Sequence, residues 1–248
     1  MDRVTETALL EAESLTVVYR GAGIGVSGIS LRVGANEVVC LLGPNGAGKS
    51  STLRALAGFL RRDTARLQSG RITFEGHDIT HISPRARARL GLGMAPEREK
   101  IFTELTVAEN LKIASPLVGR QVFTRQRELA LEVFPALRSH LTRRAGYLSG
   151  GQRQMLALAS TLCANPTVLL VDELTLGLAP ELVRSMTDSL KRLVQEGLTV
   201  VMAEQNVNVG LELSDTVHVL DGGREVSSGP PGVLKKRAEI SSAYLGKS

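Results

Sequence analysis

Residues 37–60 read "EVVCLLGPNGAGKSSTLRALAGFL". Residues 37–42 hold a short apolar run of the kind expected of a strand covered on both faces. Beyond the loop, Leu53, Leu56, Ala57 and Leu60 keep a helical spacing. Between strand and helix, "GPNGAGKS" (43–50) fits G-x-x-x-x-G-K-[ST] in the context that pattern requires. Gly43, Gly46 and Gly48 let the backbone fold around phosphate oxygens, Lys49 brings a point charge to the outer phosphates, and Ser50 offers a hydroxyl to Mg²⁺. Pro44, Asn45, Ala47 and Ser51 complete the nucleotide-contacting stretch.

The strand-then-helix rhythm returns with "TVLLV" before Asp172 and "LTVVMA" before Glu204, which predicts a parallel sheet. Upstream, "ALLEAESLTVVYR" and "GVSGISLRV" alternate as strands of an antiparallel sheet, and "TVHVLDGGREVSSG" is a hairpin with Asp221-Gly222 or Gly222-Gly223 at its turn. Residues 98–147 break the rhythm and read as mostly helical. The expected fold class is therefore α/β: a central parallel sheet, an antiparallel sheet on one side, and an inserted helical subdomain. We expect one domain over 1–248, with a core at about 1–97 and 164–248 and the helical subdomain at about 98–163.

With 248 residues, 43% of them hydrophobic, and a mean hydropathy of +0.04, the composition is that of an ordinary soluble chain. No apolar run nears the roughly 18 residues of a membrane span, and charges interrupt the N-terminal segment, so a cytoplasmic location is expected. The net charge of +5 includes clusters at Arg61 and Arg62, at Arg85, Arg87 and Arg89, at Arg143 and Arg144, and at 235–237. Aromatic residues make up only 3% of the chain, too few to interleave these clusters for base stacking, so we read them as solvated surface with no nucleic-acid partner. Cys40 and Cys163 lie among apolar neighbours without metal-ligand spacing and read as reduced core thiols.

A phosphate loop also wants a carboxylate at a neighbouring strand end. "TVLLVDE" supplies two: Asp172 to hold Mg²⁺, directly or through water, and Glu173 to orient and deprotonate the attacking water. These parts alone admit a kinase, a GTPase or another ATPase. "LSGGQRQMLALAS" (148–160) decides between them. On its own it is an anion-binding helix start, with amides and a positive dipole end but no lysine. Met155, Leu156, Ala159 and Leu162 supply its packing face.

"LSGGQ", placed between the phosphate loop and the acid pair, resembles the signature of the ATP-binding cassette (ABC) family, and the resemblance covers nearly the whole chain. It implies a P-loop NTPase fold of the ABC type that hydrolyses ATP with Mg²⁺. It further implies two cassettes facing head to tail, with Ser149, Gly150, Gly151 and Gln152 of each completing the γ-phosphate cage on the other. By the same resemblance Tyr19 stacks on adenine. Glu97 in "GMAPERE" stands where the family carries a glutamine that reaches metal or water. Gln205 in "VVMAEQNV" replaces a phosphate-contacting histidine, and its amide donates a hydrogen bond but takes up no proton. Glu173 must then carry any base function alone. Leu174 and Ala179 replace a proline and an aspartate.

"APE", "LGLAP" and "AEQNV" together resemble the ATPases of branched-chain amino acid importers. The implied protein is an ATP-hydrolysing subunit at the cytoplasmic face of the membrane, working with permease subunits, a solute-binding protein and a second ATPase subunit, a distinct one in a heterodimer or else a second copy in a homodimer. Alternatives are a poorly hydrolysing regulatory subunit, a urea or short-chain amide importer ATPase, and a non-transport ABC ATPase.

Overall fold

The structure, a computed structural model, describes residues 8–21, 23–60, 64–96 and 101–235. Alternation sets its first sheet: Leu10, Ala12, Leu15 and Val17 of β1 (Leu10–Tyr19) all point into the core. β1 pairs antiparallel with β2 (Gly23–Val33), from Leu10 opposite Val33 to Tyr19 opposite Gly23. β3 (Val38–Leu42) is buried at every position and leads through the loop into α1 (Lys49–Ala57). β4 (Ala65–Phe74) and the two-residue β5 (His77–Asp78) return to the first sheet, whose order is β2-β1-β4-β5. The sequence reading did not assign these two strands. The signal was the alternating "RITF" followed by Glu75 and Gly76, which turn the chain at φ +49° and +76°.

The chain continues through α2 (Pro84–Leu90), β6 (Leu92–Ala95), α3 (Val107–Lys112), α4 (Ser115–Val118) and α5 (Arg120–Val133). Then follow α6 (Gly150–Leu162), β7 (Val168–Asp172), α7 (Pro180–Gln195), β8 (Thr199–Glu204), α8 (Val207–Leu213), β9 (Thr216–Asp221) and β10 (Arg224–Gly229). The second sheet runs β10-β9-β3-β8-β7-β6, parallel from β9 to β6, with β10 as its antiparallel edge. Of the two turn readings, Gly222-Gly223 holds. Both glycines have positive φ, +52° and +79°, as a two-residue hairpin of matching twist demands.

β3 shows how the layers join. Cys40 and Leu42 face a core shared with Leu111, Leu131, Leu156 and Leu162, so the helical stretch covers one side of the parallel sheet. Val39 and Leu41 face the other core, with Leu53 and Leu56 of α1 and Leu15 and Val17 of the antiparallel sheet. Cys40 and Cys163 are both fully buried free thiols, and burial first of all raises their pKa, that of Cys163 to about 12.

Arg87 corrects one expectation. Arg85 and Arg89 are exposed, but Arg87 is only 2% exposed. Residues 85 and 89 stand four apart on one face of α2, which turns 87 inward. Its Nη1 donates to the carbonyls of Ala55 (2.7 Å) and Leu56 (2.5 Å), Nη2 to Thr80 (2.9 Å) and Nε to Ile82 (3.3 Å). The first two are carbonyls at the C-terminal end of α1, where helical partners run out and the dipole favours a cation. Burial lowers the guanidinium pKa to about 10, which leaves it charged at neutral pH. Arg87 thus caps the helix that the phosphate loop opens. Replacing it by methionine strips a buried donor from these carbonyls, of which that of Ala55 keeps the Gly58 amide at 3.1 Å, and should cost about 2–4 kcal/mol in urea unfolding, while Arg85→Met should stay within about 0.5 kcal/mol of the parent.

Candidate functional site

The C-terminal ends of parallel strands in an open α/β sheet are where such folds place ligands. Here the ends of β3, β7 and β8 carry the phosphate loop, Asp172 and Glu204. The loop needs its glycines for two reasons. A Cβ on Gly43 would lie 2.2 Å from the Leu220 carbonyl oxygen, and one on Gly48, already at φ +99°, would lie 2.9 Å from that of Gly25. The result is a tight concave turn with Gly48 at the N-cap of α1. The positive end of α1 lies at this turn, which suits phosphate.

Lys49 is 4% exposed and spends its ammonium on the site itself. Nζ donates to the carbonyls of Gly43 (2.8 Å) and Pro44 (3.1 Å) and pairs with Glu173 Oε1 at 3.2 Å. Ser50 Oγ donates to Asp172 Oδ1 at 2.8 Å. The side chains that sequence spacing proposed as cation, hydroxyl, metal ligand and base are therefore in direct contact, although about 120 residues separate them along the chain.

Glu173 is 6% exposed, sits at φ +55° and donates its amide to the Ala203 carbonyl at 3.0 Å. A left-handed glutamate is uncommon and collects at functional turns. The cavity beside these groups measures about 540 Å³ and is lined by Tyr19, Gly25, residues 45–51, Arg54, Glu173 and Leu176. Tyr19 stands at the loop, its hydroxyl 2.7 Å from Ser51 Oγ.

Other sequence candidates lie elsewhere. Ser149 caps α6: its Oγ accepts from the Gln152 amide (3.3 Å) and Gln152 Oε1 accepts from the Ser149 amide (3.0 Å), a reciprocal capping box. Gly150 is exposed. Gly151 is buried, and a Cβ there would lie 2.5 Å from Leu182 Cδ1 and 3.7 Å from Leu178 Cδ2, so this glycine lets α6 press on the start of α7. None of 149–152 lines the cavity of its own chain, and neither does Gln205, which is exposed. Glu97 lies outside the described residues. Leu174 is fully buried, and Ala179 leaves the N-cap of α7 without a side-chain acceptor.

Sequence reasoning missed Glu204 and Thr175. Glu204 is 1% exposed and takes the Thr175 amide on Oε1 and the Thr175 hydroxyl on Oε2, both at 3.1 Å. Burial, and next the charge of Glu173, raise its carboxyl from 4.5 to about 7. Nothing in "MAEQNV" separates this acid from a surface one except its place at the end of an apolar run.

The loop, the buried ammonium and the cavity fit a nucleoside triphosphate. Ser50 and Asp172 in contact fit a metal bound at the phosphates. Among the described residues no group of three or more His, Cys, Asp or Glu is arranged to hold a metal; the Ser50 and Asp172 oxygens beside phosphate oxygens and water suit Mg²⁺.

This arrangement is that of a nucleotide-hydrolysing P-loop protein. The family model described as ABC transporter matches residues 26–176, and the chain belongs to that family. It is 36% identical over 228 residues to the high-affinity branched-chain amino acid transport ATP-binding protein BraG of Pseudomonas aeruginosa, covering 92% of this chain and 96% of that one. A probable counterpart, LivF of Archaeoglobus fulgidus, is 36% identical over 212 residues, covering 85% and 88%. The lipopolysaccharide export system ATP-binding protein LptB of Escherichia coli is 34% identical over 245 residues, covering 97% and 98%. A nucleotide-free ATP-binding cassette from an ABC transporter superposes with a TM-score of 0.83 at 25% identity, covering 98% and 100%, and one in its ADP conformation does so with the same score and identity over 97% and 100%. The chain is an ABC ATPase subunit that binds nucleotide. No helix among the described residues is long and apolar enough to cross a membrane.

Because Glu204 titrates near 7 when folded and near 4.5 when unfolded, the folded chain holds an extra proton between those values. Stability should therefore fall as pH rises through that window, by at most about 3 kcal/mol. Denaturant unfolding from pH 4.5 to 7.5 should show this decline reduced in Glu204→Gln.

Proposed function

We propose that the chain powers an ABC importer, hydrolysing ATP to drive uptake of branched-chain amino acids or related small polar solutes through separate permease subunits. The observation that carries the hydrolytic part is the contact network Lys49–Glu173 and Ser50–Asp172, which joins the ends of β3 and β7 across β8. The solute class rests on the likeness to BraG and LivF. The chain acts as one domain, a core of about 1–97 and 164–248 with a helical subdomain of about 98–163. It docks peripherally on the cytoplasmic face of the membrane through the surface around Glu97 and that subdomain.

In this reading residues 43–51 wrap the phosphates and Tyr19 stacks on the adenine. The phosphates take Lys49 from Glu173, since they offer more negative charge and more acceptors than one carboxylate. Ser50, Asp172 and Glu97 hold Mg²⁺, which draws charge from the phosphate oxygens when bound. Freed from Lys49, Glu173 accepts a proton from water as the water oxygen bonds to the γ phosphorus and the bond to the bridging oxygen of ADP breaks. Gln205 donates a hydrogen bond to the γ-phosphate.

Ser149, Gly150, Gly151 and Gln152 reach the nucleotide of a second cassette, in a heterodimer with a paired subunit. Shifting such a dimer from mostly open to mostly closed takes about 5.5 kcal/mol of differential binding, which two shared triphosphates can divide. A solute-binding protein and the permeases set selectivity.

Export is the second reading, favoured by the 34% identity to LptB over nearly the full length. Reconstitution with candidate membrane subunits separates them: importer permeases plus a solute-loaded binding protein should stimulate ATP turnover, and stimulation by exporter subunits alone would contradict the import reading. Glu173→Gln should lower kcat by about 10²-fold or more and retain ATP in a closed dimer detectable by size-exclusion chromatography. Wild-type turnover in that variant would exclude Glu173 as the base.

A further inference from the structure

Glu204, Thr175 and a chain of contacts through them have no role in the scheme above. Glu204 is a carboxylate almost fully removed from water, an expensive placement unless its oxygens are well used. Both are: each takes one donor of the same residue, Thr175. The third feature is a chain of contacts through these two residues. The Glu204 backbone carbonyl accepts from the amide of Gly43, the first residue of the phosphate loop, at 3.3 Å. Thr175 follows Glu173 by two positions, and its carbonyl accepts from the Leu178 amide at 3.2 Å. Leu178 in turn lies on the face of α6 that Gly151 leaves open.

Glu173 already has its amide on the Ala203 carbonyl and the fully buried Leu174 behind it, and a hold on Thr175 adds to these. The Glu173 backbone is left-handed, and Leu174 permits more backbone freedom than the fixed φ of a proline would. A two-point grip on residue 175 restricts the turn that aims the Glu173 carboxylate.

We infer that Glu204 is a positioning residue for hydrolysis, whose buried carboxylate clamps Thr175 and so fixes Glu173 and the segment that runs on to α7 and packs against the signature helix. The clamp acts on the protein and not on the nucleotide. It rests on the assignment of Glu173 as base and extends it: the acid just before Gln205 links the phosphate loop to the segment that follows the catalytic pair.

The test uses the full chain with Mg-ATP, in the presence of its membrane subunits if turnover needs them. Thr175→Val removes one arm of the clamp and keeps the volume. It should lower kcat by about tenfold while KM for ATP moves less than about threefold, and Thr175→Ser should recover most of the rate. Glu204→Gln keeps one acceptor for the Thr175 amide and should fall between Thr175→Val and the parent. Added to Glu173→Gln, Thr175→Val should cause no further loss, because the clamp works only through that carboxylate.

An unchanged rate in Thr175→Val beside an inactive Glu173→Gln would overturn the inference alone. So would an equal extra loss on top of Glu173→Gln, or a loss matched by weaker ATP binding and not recovered by serine. Wild-type turnover in Glu173→Gln would overturn the assignment of the base and the clamp together.

Discussion

A buried ammonium must be neutralised wherever the chain puts it, and Lys49 is buried. Two loop carbonyls and the Glu173 carboxylate meet that demand, and doing so draws the end of β7 to the loop after β3. β8 lies between those strands in parallel register, and the contact spans its end. The same closeness lets Ser50 reach Asp172. Site and sheet therefore depend on each other through one ion pair: the parallel core holds it, and it closes the top of the core.

That pair also defines a resting state. The ammonium that would meet phosphate and the carboxylate that would meet water satisfy each other. Removing either partner strands the other in a poorly solvated place, so single substitutions here report on that penalty as well as on catalysis. Around the pair, rigidity comes from quieter contacts. Arg87 holds the far end of α1, Glu204 holds the turn after Glu173, and Gly151 lets α6 lie against α7.

The sequence made much of this legible, and the reasons are physical. β3, the phosphate loop and α1 were readable because an apolar run, three glycines and a helical period occur side by side. Asp172 and Glu173 were readable because two acids ending an apolar strand beside such a loop have few other uses. The hairpin turn was readable because adjacent glycines allow the positive φ it needs. Arg87 was not, since three alternate arginines look like a solvated run until α2 turns the middle one against the carbonyls of α1. Glu204 and Thr175 escaped for the same reason: their partnership spans 29 residues and exists only once β7 and β8 are neighbours. β4 and β5 were missed because their alternation is short and polar residues fill its exposed face.

The ABC family sets the context for these contacts. What remains central is the exchange at Lys49, from carboxylate to phosphate. A crystal structure with Mg²⁺ and a non-hydrolysable ATP analogue examines it directly. The account predicts Lys49 Nζ on the β- and γ-phosphate oxygens and parted from Glu173, with Ser149 of a second cassette on the same γ-phosphate. Bound nucleotide with Nζ still on Glu173, or with the signature serine of every neighbouring cassette far from the triphosphate, would contradict it.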